Sequence, residues 1–301
     1  MGAEPLAVAL LAFVVGALLR HAPSVPPTTA TGLHVYVVWV ALPALVLLRV
    51  PELAAGTEAL ALVVMPWALL ALSAAAVLAV ARLRRWPRDV EGALMLLVPL
   101  ANTSFLGLPL VEAHLGPDAV ALALVWDQLG SFLALATYGA FVIASYRGGA
   151  RPTLRAIALR VVRFPPFIAL LVALVLMQTG TPALVEGVLG AIAKTLVPVV
   201  MVAVGLQWRA RLPRDGWGPA AFALTMRLGV VPLVALGVAL ALGLSPLVRG
   251  TAVLEAGMGP MITAGALAIE AGLAPSTSAS VLGWGTISSL LTTAGWALLA
   301  R

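Results

Sequence analysis

The apolar residues of this chain neither alternate nor keep to one helical face. They run for about twenty positions at a time, interrupted by short clusters of arginine, glycine and proline. A run of roughly 20 apolar residues rising 1.5 Å each is what a helix needs to cross about 30 Å of hydrocarbon. On that rule the pattern predicts ten membrane helices, at 3–20, 32–49, 59–82, 90–113, 118–146, 155–178, 183–208, 217–243, 247–271 and 275–299. The expected fold class is an all-α integral membrane protein, because a backbone in hydrocarbon must satisfy its own hydrogen bonds. The first run has the length of a secretory leader, but Glu4 stands where a leader's basic region belongs, so it is read as the first span.

Composition sharpens this picture. With 62% hydrophobic and 10% charged residues and a mean hydropathy of +1.08, a soluble globular domain is excluded. The absence of cysteine removes thiolate chemistry and disulfides, and His21, His34 and His114 share no metal-ligand spacing. A pI near 11 is compatible with nucleic-acid binding, but the arginines sit in short loops between apolar spans, where membrane topology explains them better. Of the 18 basic residues only Lys194 is lysine, a bias that suggests a GC-rich bacterial genome and hence a bacterial plasma (inner) membrane.

The arginines also orient the chain. Arg82, Arg84, Arg85 and Arg88 follow the third span, Arg147, Arg151 and Arg155 the fifth, and Arg209, Arg211 and Arg214 the seventh, so these loops are expected to be cytoplasmic and both termini outside. The sixth span then starts on the opposite side from the first, as two inverted five-helix repeats, 1–150 and 151–301, would require. A gapless shift of 158 positions supports the duplication, setting Gly107 on Gly265, Glu112 on Glu270, Pro117 on Pro275, Trp126 on Trp284 and Ser131 on Ser289.

Two spans are interrupted at matching depths. "VPLANTSFLGLPL" places prolines, glycine, asparagine, threonine and serine inside the fourth span, with the break expected around 101–109. "EAGMGPMITAG" at 255–265 does the same in the ninth, and the 158-residue shift sets Asn102 opposite Pro260. Proline deletes a backbone donor and clashes with the preceding turn, and an opened ladder is tolerated in a membrane only against protein or a watery cavity. Paired discontinuous helices mark a transporter site, where half-helix N-termini attract anions and unwound carbonyls attract cations.

Polar groups inside the spans supply the candidate chemistry. Asp127 beside Gln128, Glu255 one turn before the ninth-span break, and Asn102, Thr103, Ser104, Thr286 and Ser288 offer oxygen ligands for a small cation or a proton relay. Two readings of the acids stay open, ion coupling or structural pairing with a buried base. Arg227, mid-span in the eighth helix, either attracts an anionic substrate or neutralises one of those acids.

The stretch "ANTSFLGLPL", with "WDQLGS" and the late "GWGTISSLLTTAGW", resembles the auxin efflux carrier family, whose fourth helix carries an asparagine before a phenylalanine-leucine-glycine-leucine-proline run. That resemblance implies a scaffold domain of helices 1, 2, 6 and 7 and a transport domain of helices 3–5 and 8–10 that moves as an elevator. It carries the crossover asparagine onto Asn102 and the ninth-helix proline onto Pro260. It also implies a secondary carrier of a small organic anion, such as malonate or malate, and a homodimer formed through the scaffold. The substrate site expected on this basis is Asn102, Thr103, Ser104, Pro260, Met261 and Arg227. Ion coupling falls to Glu255, Asp127, Gln128, Thr286 and Ser288, with Glu255 and Asn102 as ligands if the ion is sodium. "EAGM" at 255–258 is similar instead to the bile acid:sodium symporters, whose glutamate helps bind sodium, which leaves Na+, H+ or no coupling open and a larger organic anion as the alternative substrate. The expected partners are lipid and substrate, with no other cofactor. An intramembrane protease is disfavoured because no serine–histidine or zinc-binding histidine pair is present. A channel is disfavoured because no charged rings recur.

Overall fold

A computed structural model of the chain describes residues 3–52, 58–147, 153–209 and 217–300. Arg151, Arg211 and Arg214 lie outside the described residues. In chain order the helices are α1 (Ala3–Leu19), α2 (Thr29–Glu52), α3 (Ala59–Arg84), α4 (Arg88–Leu97), α5 (103–115), α6 (Asp118–Arg147), α7 (Leu154–Val162) and α8 (Pro165–Thr179). They continue as α9 (Ala183–Gln207), α10 (Trp217–Ala241), α11 (Pro246–Ala256), α12 (Ile262–Glu270) and α13 (Pro275–Leu299). Among the described residues the only extended pairing is an isolated antiparallel bridge between Ala101 and Pro260.

Five of these helices, α2, α3, α6, α9 and α10, are long and apolar enough to cross a membrane, and α7 with α8 makes a sixth if the bent pair is one span. The fold is therefore that of an all-helical, multi-pass integral membrane protein. α13 fails the same test because serine and threonine dilute its hydropathy; one side of it, with Thr277, Ser278, Ser280, Thr286, Ser289 and Thr293, is buried, while Leu291, Leu298 and Leu299 are exposed. Ser280 and Thr293 return their hydroxyls to the carbonyls of Ser276 and Ser289 one turn back, and Ser289 donates to Thr286, so these three cost little inside protein, whereas the buried hydroxyls of Thr277 and Thr292 have no partner among the described residues.

Two local readings of the sequence need revision. The sixth predicted span, 155–178, is not one helix: α7 and α8 meet at 66°. Pro165 and Pro166 open α8, and proline pushes the residue before it out of the helical region, which is why Phe164 is extended at φ −76°, ψ 118°. The fourth-span break lies at 98–102, ahead of the expected position. Pro109 does not break α5, because it follows a π-helical turn at Thr103–Gly107 and sits at the start of the regular helix, where its missing donor matters least.

The buried residues form two clusters that share the membrane region unequally. One joins α1, α2, α8 and α9 to α5 and the first half of α6. The other, made of α3, α4, the rest of α6 and the α10–α13 segment, takes no residue from α1, α2, α8 or α9. Within the first cluster α1 and α9 pack backbone to backbone. A Cβ on Gly16 would strike the Val202 carbonyl, and one on Gly205 the Phe13 carbonyl, so small residues set the approach.

Candidate substrate and ion site

The ends of α4 and α11 meet where the two interrupted helices cross. The Asn102 N–H donates to the Gly259 carbonyl at 2.9 Å and the Met261 N–H to the Leu100 carbonyl at 2.9 Å, so each break satisfies donors of the other. Proline and glycine make this geometry accessible. Pro260 has no donor to lose, and a Cβ on Gly259 would lie 2.7 Å from the Gly285 carbonyl of α13.

Arg227 ties the crossing together. It lies on a π-helical turn of α10, Met226–Val230, and is buried. Its Nη1 donates to the carbonyls of Val98 (3.0 Å) and Pro99 (3.5 Å), and its Nη2 to that of Ala256. These are the orphan carbonyls at the C-terminal ends of α4 and α11, where the helix dipoles leave partial negative charge. One guanidinium thus serves both breaks, a role its rigid fork suits and a lysine ammonium does not.

The two acids occupy different environments. Asp127, on the π-helical turn Asp127–Phe132, accepts from Thr103 Oγ1 (2.5 Å), Ser104 Oγ (2.5 Å) and Gln128 Nε2 (2.8 Å). It thereby sits at the N-terminus of α5, the positive end of that half-helix. Glu255, in the last turn of α11, is fully buried, and neither of its carboxylate oxygens has a hydrogen-bond partner among the described residues. It lies over Gly107, whose missing side chain makes the room: a Cβ there would meet Oε1 at 2.8 Å and would also strike Oε2. No cation stands within 4.0 Å of either buried acid among the described residues, and Arg227 reaches Glu255 only through the longer-range field. The other unpartnered buried polar atoms of the crossing are Asn102 Nδ2, Gln128 Oε1 and Arg227 Nε. Asn102 uses its Oδ1 to accept from Phe105 N–H at 3.3 Å and so caps α5.

Beside the crossing a cavity of about 260 Å³ runs between α9, α12 and α13, lined by Val204, Gln207, Ile262, Leu282, Gly283 and Thr286 among others, with Arg209 at its rim. Met261 and Ile262 open α12 at its inner end, and no side chain caps that N-terminus. Of the residues picked from the sequence, Asn102, Thr103, Ser104, Asp127, Gln128, Arg227, Glu255, Pro260 and Met261 come together here, and Thr286 lines the cavity. Ser288 is only half-buried, whereas its neighbour Ser289 is fully buried with its Oγ 3.1 Å from where a Gly259 Cβ would stand.

Sequence reasoning did not reach His34, Phe105 or Gln207. The rings of His34 in α2 and Phe105 in α5 stack at 4.6 Å, and Gln207 Nε2 lies 3.3 Å from His34 Nδ1. A histidine at a presumed helix end carries no signal of this in the sequence, because its partners come from α5 and α9.

Two interrupted helices crossing at buried charges inside an all-helical membrane protein are an arrangement that membrane transporters use. The chain matches the family model for "Membrane transport protein" over residues 1–297 and belongs to that family, the auxin efflux carrier family that its fourth-span signature resembles. It is also 26% identical over 217 residues to a curated protein of Methanothermobacter thermautotrophicus named "Uncharacterized transporter", an alignment covering 72% of this chain and 68% of that one.

Proposed function

We propose that this protein is a secondary carrier of a small organic anion, a mono- or dicarboxylate such as malonate or malate, working by alternating access. The observation that carries this reading is the crossing itself: a free amide donor on Asn102, an uncapped helix N-terminus at Met261 and an unpartnered buried carboxylate on Glu255 within one joined pair of breaks. The first two suit an anion, and the third suits a cation carried with it. With Asp127, Glu255 and Arg227 ionised the cluster holds two negative charges against one positive, so one monovalent cation, Na+ or H+, neutralises it in the dry interior. The cavity of about 260 Å³ lies below the roughly 300–1,000 Å³ usual for drug-sized ligands, which favours a small carboxylate over a bile-acid-sized one. In this reading ten spans form two inverted repeats in a bacterial inner membrane, with both termini outside. α1, α2, α8 and α9 are the scaffold, and the other spans form a transport unit moving as an elevator. The separate core cluster that takes nothing from those four helices supports that division.

Uptake of radiolabelled malonate and malate into proteoliposomes tests the site. The wild type is expected to transport at least one of them, and Asn102→Ala to lose transport while melting normally; transport unchanged in that variant would reject the assignment. Melting in sodium against potassium at equal ionic strength, for wild type and Glu255→Ala, decides the ion. A ligand at about 100 times its Kd stabilises by about 2.7 kcal/mol, which a melting shift reports.

A further inference from the structure

A second cavity, of about 500 Å³, lies between the later half of α6, the short helix α7 and α12, with Thr263, two residues past Met261, in its lining. Its walls are largely apolar, with Phe132, Leu135, Ala136, Ala140 and Ile143 from α6 and Leu267 from α12, beside the hydroxyl-bearing Thr263. Its mouth is not: Arg147 at the end of α6 and Arg160 of α7 both line it, both are exposed, and neither has a carboxylate within 4.0 Å among the described residues. An apolar slot ending in two uncompensated guanidiniums matches a ligand with a hydrocarbon body and an anionic head.

The helix that supplies Arg160 is itself built for a membrane surface. α7 has no buried residue. Around its axis Leu154, Ile157, Ala158, Val161 and Val162 share one side, and Arg155 and Arg160 flank the other, with Ala156 and Leu159 between them, a pattern that suits a helix lying in the headgroup plane. Leu154 and Val162 are 86% and 56% exposed, too much apolar surface for water but suited to the acyl boundary. The 66° bend at Pro165 turns α7 away from α8, and stacked rings of Phe132 and Phe164, 3.8 Å apart, fix it against α6 at the inner end of the slot. The arginines of this edge belong to the loops that the positive-inside rule assigns to the cytoplasmic side, the depth expected for headgroup phosphates.

We propose that this cleft is a binding site for an anionic phospholipid of the arginine-rich leaflet, its phosphate held between Arg147 and Arg160 and one acyl chain laid along Leu135, Ala136, Ala140 and Leu267. The guanidiniums bind phosphate through paired N–H donors, and the walls exchange lipid neighbours for a fixed chain. Because Leu267 belongs to α12, the occupied cleft touches the half-helix whose other end faces the crossing.

Native mass spectrometry of the detergent-purified protein, titrated separately with phosphatidylglycerol and phosphatidylcholine of equal chain length, tests this. Phosphatidylglycerol is expected to bind at least about tenfold more tightly, and Arg147→Gln with Arg160→Gln to abolish that preference. Arg84→Gln, at the exposed basic end of α3, should leave it intact. Ala140→Phe, which fills the slot while keeping both arginines, should weaken both lipids. Equal binding of the two lipids, an unaffected double variant, or displacement of phosphatidylglycerol by millimolar inorganic phosphate would overturn the proposal. So would a concentration-dependent dimer that Ala140→Phe abolishes without changing lipid binding, since that assigns the cleft to a second copy of the chain.

Discussion

Arg227→Met is the sharpest perturbation of the crossing. The substitution keeps the volume and the helix propensity but removes the donors to Val98, Pro99 and Ala256 and the positive charge that acts on Glu255. Hydrogen bonds to a charged group contribute about 1.5–3 kcal/mol, and stripping one partner from a buried charge set costs about 3–5 kcal/mol. The two overlap, so the expected loss is about 4 kcal/mol. At roughly 2–4 °C per kcal/mol the apparent Tm in detergent should fall by about 8–16 °C. Adding Glu255→Gln removes the excess negative charge that the lost cation leaves behind, so the double variant should recover several degrees instead of losing more, a coupling of about 1–3 kcal/mol. Arg227→Lys should fall between, because one ammonium keeps the charge but cannot reach both helix ends. An Arg227→Met protein melting within about 2 °C of wild type, or strictly additive losses in the double variant, would refute the reasoning.

Two further outcomes follow from contacts. Gly107→Ala should lower stability by about 1–3 kcal/mol, because its Cβ enters the space of the Glu255 carboxylate, and Gly107→Ala combined with Glu255→Ala should cost less than the sum, read by melting. Phe105→Ala should lower the Tm by a few degrees, having lost a stacked pair worth about 0.5–1.5 kcal/mol beyond its area, and His34→Ala made on top of it should add little; a full additional loss would mean the pair does not act as a unit.

The span pattern was legible because hydrocarbon permits few solutions: apolar runs of the right length must be helices. The breaks were legible for the same reason in reverse, since proline, glycine and asparagine in a lipid-length run must be sheltered somewhere. What periodicity could not supply was partnership. "FALTMRLGV" marks Arg227 as a buried cation but not that its fork spans two helix ends drawn from 98–99 and 256, more than a hundred residues apart. The different surroundings of Asp127 and Glu255 were hidden for a similar reason: Thr103 and Ser104 satisfy one, while the chain leaves the other bare over Gly107. The bend at Pro165 was in the sequence as a proline pair, but a run of apolar residues on both sides hid it.

The pseudo-symmetry of the breaks does not extend to their chemistry, and the difference tells where an anion should sit. α5 and α12 both begin at the crossing, and both present a positive dipole end. At α5 that end is already taken, because Asp127 accepts from Thr103 and Ser104 in its first turn and Asn102 caps it. At α12 no acid lies in the first turn and no side chain caps, while the adjacent cavity opens toward Arg209. On the carrier reading proposed above, a substrate carboxylate is expected at α12, with the free Asn102 amide as a further donor from across the bridge. The double variant Thr103→Val with Ser104→Ala should then change the cation dependence of uptake but keep the KM for the anion within about threefold. Asn102→Gly, by deleting a hydrogen bond to a charged group worth about 1.5–3 kcal/mol, should raise the KM by ten- to a hundredfold or abolish measurable uptake. Should the hydroxyl pair instead govern KM while Asn102→Gly spares it, the anion sits at α5, and Asp127 would have to leave that helix end each time substrate binds.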